Sequence, residues 1–477
     1  MRLLPFIGLL LAIALAPLPL GSNRPGPWSL LAIWIGLMLM AWGFSMWRDW
    51  TQLHVRLPYW KPPALAFAAV LAWGLVQAMP WTPGFLHHWM WAGAIDASGG
   101  RASGAISAVP LETLTGVTRL ATYGGAFFLA MQFCRERANA QRLVTVIILS
   151  ALAYAVYGLA VNFSGNGSIL WYQKWAYPES LTSTFVNRNS FATFCGIAMV
   201  TLVASLMSEL RGPYAHDRPD DHSRDRRMAK LAVLLAILLV LFTALLLSRS
   251  RAGLAASLIG ITVVLVLHYR LGARGGGIGL PAGGRLWPLA IGAAMLVILL
   301  ISGGAVIDRL GEDRGMAAGR AEIWERSVVA LADAPLRGHG LGTYESIFFA
   351  YQDEPHIFIR QVDKAHDTYL ELFVELGLPF GLLLIAVPGW LSWRILRGTA
   401  AGLGGRYGTA ALGSTAVLGI HSAVDFSAQI PAIALVWVTL LGAGFAQTLP
   451  SGVSAMVFVR QSDSLHQGGE GRGERQG

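Results

Sequence analysis

With 477 residues the chain could form about three soluble domains, but only 13% of its residues are charged, against about 25% in soluble proteins, and 54% are hydrophobic. This composition excludes a water-soluble enzyme. The two cysteines, Cys134 and Cys195, lie in apolar runs, which excludes a disulfide scaffold, and the net charge of +9 has to be interpreted from its position between such runs.

Twelve apolar runs are long enough for helices that cross a membrane, which takes about 20 residues. Pro17, directly after Ala14-Leu15-Ala16, argues against signal-peptide cleavage behind the first run. Arg119 intrudes on the fourth run, and His421 and Asp425 on the last two. The sequence therefore predicts an all-α membrane protein with about 12 transmembrane helices, over residues 3–20, 28–47, 62–79, 117–134, 143–163, 189–208, 231–247, 252–268, 286–306, 372–392, 408–424 and 428–447.

Basic residues orient these helices. If the N-terminus is cytoplasmic, the inward segments carry 22 Lys and Arg residues and the short outward segments only 6. Because positive charge accumulates on the cytoplasmic side, both termini are predicted inside and the long loop 307–371 outside. The net positive charge then faces anionic lipid, and a nucleic acid partner is unnecessary.

The predicted regions follow from this topology. Residues 1–163 hold helices 1–5, and residues 164–306 hold helices 6–9. Residues 307–371 form a helical loop domain, residues 372–448 hold helices 10–12, and residues 449–477 form a disordered tail. The glycines of GHGLG (338–342) are interpreted as turn glycines, because no strand precedes them. No His/Cys spacing resembles a metal site, so neither a metal nor another cofactor is predicted.

Three polar clusters fall on the side of the long loop. SRSRAG (248–253) carries Arg249 and Arg251. Residues two positions apart on a helix point in different directions, so the two arginines cannot both face one cavity. Both could instead anchor helix ends at lipid phosphates. GRAEIWERSVVALADAP (319–335) predicts an amphipathic helix. Its apolar stripe of Trp324, Val328 and Leu331 includes Arg320, while Glu322 and Arg326 lie on the exposed face.

The third cluster, KAHDTYLELFVELGLPFG (364–381), places His366 near the start of the tenth span. The helix dipole there favours a neutral imidazole, whereas Asp363 and Asp367 favour the charged form, so the sequence leaves the sign of any pKa shift open. His421 and Asp425, four residues apart, are predicted to pair inside the bundle.

The outward loop 164–188 contributes the lesser candidates Lys174 and Arg188, and Asn187 and Asn189 could cap the sixth span. Its aromatic residues fit a membrane-interface belt, but the same rings also stack on sugars. Those residues are Trp171, Tyr172, Trp175 and Tyr177.

The order SRSRAG, GRAEIWERS, GHGLGTY, AHDTYLELFVELG, together with the late outward loop, resembles the O-antigen ligase and polymerase superfamily over roughly residues 180–447. The resemblance implies a C-class membrane glycosyltransferase bundle in the bacterial inner membrane, with a periplasmic active site and no metal. It also implies transfer of a glycan from undecaprenyl diphosphate to a hydroxyl on lipid A core, on a polysaccharide or on another acceptor.

Matched to the family motifs, Arg251, with Arg249 as the alternative register, and Arg320 correspond to the two family arginines, and His366 corresponds to the family histidine. Asp367 stands where members often have Asn. Arginines would neutralise the leaving diphosphate and His366 would act as the base, with inversion at the anomeric carbon. Arg249, Arg188, Lys174 and Tyr369 are predicted substrate contacts. A non-enzymatic polysaccharide or lipid-linked oligosaccharide transporter remains the alternative, and ligase and polymerase are not separated.

Overall fold

Long apolar helices make up most of the computed structural model, which describes residues 3–48, 54–165, 167–210, 221–274, 310–352 and 362–450. A hairpin of two short strands, β1 (Ser168–Ile169) and β2 (Tyr172–Gln173), lies between the sixth and seventh helices. In the described residues the helices are α1 (Leu4–Leu15), α2 (Pro25–Arg48), α3 (Lys61–Ala78), α4 (Met90–Ala97), α5 (Pro110–Phe133), α6 (Arg137–Phe163), α7 (Arg188–Leu210), α8 (Asp221–Leu247), α9 (Arg251–Arg274), α10 (Leu310–Asp333), α11 (Tyr344–Phe348), α12 (Thr368–Ala400), α13 (Gly405–His421) and α14 (Pro431–Gln447).

Six of these helices are long and apolar enough to cross a membrane, namely α2, α6, α7, α8, α9 and α12, and α1 and α14 are shorter apolar helices. The mainly helical membrane fold is therefore confirmed. Helices also occupy the predicted third, fourth and eleventh spans, while the predicted span 286–306 lies outside the described residues. The number of twelve spans stays a prediction.

The core is organised around α7, which is almost entirely buried and packs against α8, α9 and α13. Small residues allow the close approach. A Cβ atom on Gly260 of α9 would lie 2.8 Å from the carbonyl oxygen of Gly413 on α13. Such contacts between small residues are typical of helices that associate in lipid, where hydrophobic burial supplies little driving force.

The Arg119 charge in the fourth predicted span lies inside the bundle on α5. Its guanidinium sits over the Trp28 ring of α2, 4.8 Å from the ring centroid. The face of an aromatic ring attracts a cation, so this contact offsets part of the cost of placing the charge between helices.

Loops that the charge pattern assigns to one side meet at one end of the bundle, called here the site end. The hydroxyl of Thr184 donates to the carbonyl of Pro17 at 2.7 Å, and the backbone N–H of Leu181 donates to the carbonyl of Leu247 at 2.9 Å. At the opposite end, Arg135 donates to the carbonyls of Ala446 and Leu449. The loops in contact at each end of the bundle are thus loops that the charge pattern assigns to the same side of the membrane.

Helix α12 begins at Thr368, four residues before the predicted start, and is broken at Gly377, where φ is 75°. The segment 335–342 packs into this break. A Cβ on Gly377 would lie 2.4 Å from the Leu336 carbonyl oxygen, and one on Gly338 would lie 2.2 Å from the Glu375 carbonyl oxygen. With its own φ of 66°, Gly338 is a turn glycine at a close backbone contact, as predicted for GHGLG.

Candidate functional site

His366 occupies a tightly defined turn at the site end, directly before α12. The next residue, Asp367, caps the helix, because its Oδ1 atom accepts from the backbone N–H groups of Tyr369 at 2.9 Å and Leu370 at 3.1 Å. His366 itself has a φ of 53°, in the left-handed region that non-glycine residues rarely adopt. Such backbone strain is concentrated at functional sites, which makes this turn a candidate.

The residue before His366 is fixed from two directions. The Ala365 N–H donates to Oε2 of Glu371 at 3.0 Å, and the Ala365 carbonyl accepts from Nε1 of Trp324 on α10 at 3.0 Å. The other oxygen of Glu371, whose side chain is only 2% exposed, accepts from Lys364 Nζ at 3.0 Å. Helix α10 and the first turn of α12 therefore hold the His366 segment between them.

Arg320 lies one helical turn before Trp324, on the part of α10 that contacts this segment. Burial lowers the pKa of His366, and the Arg320 charge lowers it further, against the opposing effect of Asp425 and Asp363. The net shift is downward, so the imidazole is neutral at physiological pH. Its Nδ1 atom is buried and has no hydrogen-bond partner among the residues that the structure describes. A neutral imidazole with an unengaged nitrogen is able to accept a proton.

Asp425 connects the His366 region to SRSRAG through α7. Its Oδ2 atom accepts from the side-chain amide of Asn189 at 2.6 Å, and Asn189 Oδ1 accepts from the Ser250 hydroxyl at 2.8 Å. Asn187, as predicted, caps α7, accepting from the Asn189 N–H at 2.7 Å. Asn189 instead links three segments that are far apart in sequence.

The predicted helical pairing of His421 with Asp425 needs correction. Helix α13 ends at His421, and Asp425 lies in the following turn, so the two residues do not share one helix face. Nδ1 of His421 lies 3.1 Å from the Thr193 hydroxyl oxygen, and Thr193 donates to Ser427 at 3.2 Å. Both His421 and Asp425 are buried, as expected.

The two SRSRAG arginines are directed differently by the turn between α8 and α9. Arg249 has a φ of 56° and forms an exposed ion pair with Glu179 at 2.7 Å. Arg251 is the exposed first residue of α9. Ser250, which lies between the two arginines, bonds Asn189, so the turn is connected to the hydrogen bonds around Asp425. Of the two arginines, Arg251 is the one at a helix N-terminus.

The remaining predicted substrate contacts have structural partners. Lys174 donates to the carbonyl of Ser180 in its own loop, and Tyr369 donates to the carbonyl of Gly419 on α13 at 2.7 Å. The guanidinium of Arg188 lies over the Tyr177 ring, 5.2 Å from its centroid, and its Nε atom is buried without a partner. Of the predicted substrate contacts Arg188, Lys174 and Tyr369, Arg188 therefore has the clearest unused hydrogen-bonding capacity.

The buried face of α10 differs from the predicted stripe. Val328 is 54% exposed, whereas Ser327 and Ala330 are buried. Arg326, predicted on a solvated face, is partly buried. The apolar pattern predicted the wrong face because a polar residue, Ser327, lies at the centre of the buried face. The Ser327 hydroxyl contacts the Tyr344 hydroxyl there at 2.7 Å.

A cavity of about 210 Å³ opens beside this cluster, between the α1–α2 connection, the loop before α7 and the turn before α14. Asp363 and Phe426 border it. The Phe426 ring also meets the His366 imidazole, with centroids 5.3 Å apart in an edge-to-face arrangement. Its wall is formed by Leu20, Asn23, Arg24, Trp175, Tyr177, Phe185, Val186, Asn187, Ser190, Asp363, Phe426 and Ile430.

Sequence reasoning missed several of the buried polar groups at the site end. Glu371 and Glu375 are two carboxylates spaced i,i+4 in an otherwise apolar helix, a signal that could have been recognised. His88 and His339 form a buried pair, with ring nitrogens 2.9 Å apart, which no sequence spacing indicates. Burial and the charge of Arg337 lower the pKa of both, and that of His88 falls to about 4.

Comparison with known proteins agrees with the sequence motifs. Residues 235–386 match the family model described as O-antigen ligase, a range that contains SRSRAG, Arg320, GHGLG and His366. No curated protein matches the chain. The match confirms the resemblance to the O-antigen ligase and polymerase superfamily, over a shorter range than the motifs suggested.

Proposed function

We propose that this chain, whose residues 235–386 match the family model described as O-antigen ligase, is a glycosyltransferase of the bacterial inner membrane. It would move a glycan from undecaprenyl diphosphate to a hydroxyl acceptor at the periplasmic face. The observation that carries the proposal is the position of His366 in a strained turn, with a buried Nδ1 atom that has no hydrogen-bond partner among the described residues and with the charge of Arg320 acting on the ring.

The proposed reaction is a single displacement. His366 accepts the proton of the acceptor hydroxyl, and the oxygen attacks the anomeric carbon of the donor sugar. The bond from that carbon to the phosphate oxygen breaks, and its electron pair leaves with undecaprenyl diphosphate. Because attack and departure occur on opposite faces of the sugar, the configuration is inverted. General base catalysis of this kind contributes about 10²- to 10⁴-fold to a rate.

Two arginines are assigned to the leaving group. The charge of Arg320 acts on the His366 imidazole, and Arg251 begins α9, where the N–H groups of a helix N-terminus also attract phosphate. Guanidinium groups form paired hydrogen bonds with phosphate oxygens and stabilise the charge that develops on them. Asp425 has the complementary role, because its negative charge favours the imidazolium that forms when His366 takes the proton.

The grouping of these polar residues at one end of the helices favours a transferase over a transporter. A transporter needs a polar path through the bundle, with substrate sites near its middle. Here His366 directly precedes α12, Arg251 begins α9, and Arg320 belongs to the loop domain. The acceptor, whether lipid A core or a growing polysaccharide, distinguishes ligase from polymerase and has to be measured.

The proposal is tested with the purified full chain in lipid nanodiscs. The donor is the labelled undecaprenyl diphosphate glycan of the source bacterium, and the acceptor is lipid A core or the unlabelled glycan. We expect product without an energy source, and no product from His366→Ala although that variant remains folded. Wild-type activity in His366→Ala would refute the base assignment. In sealed proteoliposomes, movement of the glycan lipid across the bilayer without a new glycosidic bond would establish the transporter instead.

A further inference from the structure

The cavity bordered by Asp363 and Phe426 has the composition of a carbohydrate-binding site. Amide, hydroxyl and carboxylate groups lie on its wall next to aromatic rings. Sugars are bound by this combination, because their hydroxyls need hydrogen-bond partners while the C–H faces of the ring pack on aromatic surfaces. At about 210 Å³ the cavity is smaller than the roughly 300 Å³ of the smallest typical ligand pockets, so it fits one monosaccharide rather than a lipid.

Ser190 provides a specific indication of a polar ligand. It lies in the first turn of α7, is 1% exposed, and its Oγ atom has no hydrogen-bond partner in the described part of the chain. A buried hydroxyl without a partner is costly, since it has lost water and gained nothing in exchange. Because Ser190 also borders the cavity, a sugar hydroxyl that reaches its buried Oγ atom would supply the missing partner.

Two aromatic side chains of the wall each lie under an arginine. Arg24 lies over the Trp175 ring at 5.7 Å, and Arg188 lies over the Tyr177 ring at 5.2 Å. Tyr177 has a φ of 51°, so its ring is held at an unusual turn of the loop before α7. Each ring therefore has a cationic partner that favours its observed position.

The position and charge of the cavity favour the acceptor over the donor diphosphate. The wall carries one guanidinium, Arg24, and one carboxylate, Asp363, so it has no excess positive charge for a diphosphate, and both groups can bond sugar hydroxyls. The same Asp363 influences the pKa of His366, and Phe426 contacts both the cavity and the His366 ring. A sugar in the cavity is thus next to the base that would take its proton.

We propose that this cavity binds the sugar ring that carries the acceptor hydroxyl. The inference rests on the proposed function and adds to it the location and chemical class of the acceptor. Ser190 and Asp363 bond the ring's hydroxyls, and Trp175 packs against its face.

Ser190→Ala offers the sharpest test, because the hydroxyl it removes has no partner in the ranges that the structure describes. A purely structural role predicts no change in activity, and the matched variant Ser414→Ala removes another buried, unpartnered hydroxyl, on α13. We expect Ser190→Ala to raise the acceptor KM about fivefold, the effect of one lost hydrogen bond, with donor KM unchanged. Equal acceptor KM values for the two variants would overturn the inference.

The aromatic wall is tested in the same way. Trp175→Ala should raise the acceptor KM about five- to tenfold, as loss of an aromatic packing surface does. Trp171→Ala changes a tryptophan of the same loop that is 78% exposed and does not border the cavity. We expect it to leave KM unchanged, and a matching rise in both variants would contradict a specific subsite.

A binding measurement separates this inference from the proposed function. The repeat-unit oligosaccharide released by mild acid from the source bacterium's lipid-linked glycan, and the lipid A core oligosaccharide, are each added to the purified full chain in nanodiscs. Saturation-transfer NMR should detect binding of one of these two oligosaccharides to the wild type, His366→Ala and Trp171→Ala, and weaker binding to Trp175→Ala. Binding with this pattern but no transfer would remove the proposed function alone. Transfer with no dependence on Ser190 or Trp175 would remove the subsite alone.

Discussion

Replacing Glu371 tests whether the site depends on the buried network that holds His366. This carboxylate accepts from Lys364 Nζ and from the Ala365 N–H, both at 3.0 Å, and thereby fixes the two residues before the histidine. Glu371→Ala removes both partners at once. Glu371→Gln keeps an oxygen that the Ala365 N–H can reach but removes the charge that pairs with Lys364.

The expected magnitudes follow from these contacts. Removing one partner of a buried ion pair costs about 3–5 kcal/mol, but the Lys364 side chain remains 25% exposed and can be partly hydrated, which reduces the loss to about 2 kcal/mol. The Ala365 N–H, left without an acceptor, adds about 1–2 kcal/mol. We therefore expect a loss of about 3–4 kcal/mol for Glu371→Ala and about 2 kcal/mol for Glu371→Gln.

The free energy of unfolding is measured in mixed micelles by titration with SDS, and glycan transfer is measured in parallel. Glu325→Ala, which changes an exposed carboxylate of α10, is the matched control and should stay within about 0.5 kcal/mol of wild type. We expect transfer to fall more than stability alone explains, because His366 loses its fixed position. Unfolding of Glu371→Ala at the control's free energy would refute the positioning argument.

Further predictions concern charge, pH and backbone. Arg320→Ala should reduce transfer at least about 100-fold and Arg326→Ala only a fewfold, and equal losses would contradict the assignment of Arg320 to the site. Because the pKa of His366 is lowered, its neutral form persists in mildly acidic solution. The acid limb of the kcat/KM profile should therefore lie below about pH 6.5, and a limb above that value would argue against His366 as the base. Gly338→Ala combines a positive φ with a Cβ position 2.2 Å from a backbone oxygen, whereas Gly99→Ala has the positive φ with open space. The first should destabilise by at least about 3 kcal/mol and the second by about 1 kcal/mol in the same SDS titration, and equal losses would show that the backbone contact relaxes.

Several sequence predictions succeeded because they depend on local patterns. The apolar runs predicted helices at their positions, since burial in lipid requires an unbroken run of apolar residues. The order of short motifs predicted the resemblance to the O-antigen ligase and polymerase superfamily, and the match over residues 235–386 confirms that resemblance. The roles of Arg251, Arg320 and His366 stay predictions, as do the twelve spans and their orientation.

Other predictions failed where a tertiary contact outweighed the local pattern. The apolar stripe of α10 was misplaced at Val328, because Ser327 is buried against Tyr344. His421 and Asp425 match helical spacing, but the helix ends between them.

The sequence by itself determined that this is a mainly helical membrane protein, because the length of the apolar runs and the positions of the charges do not depend on tertiary contacts. Only the tertiary structure decided that Arg320 influences the His366 imidazole and that Ser190 is left without a partner beside Trp175 and Asp363. The cavity is built from the α1–α2 connection, the loop before α7 and the turn before α14, which are separated by hundreds of residues. Which of these segments meet depends on how closely the helices pack, and no local pattern encodes that.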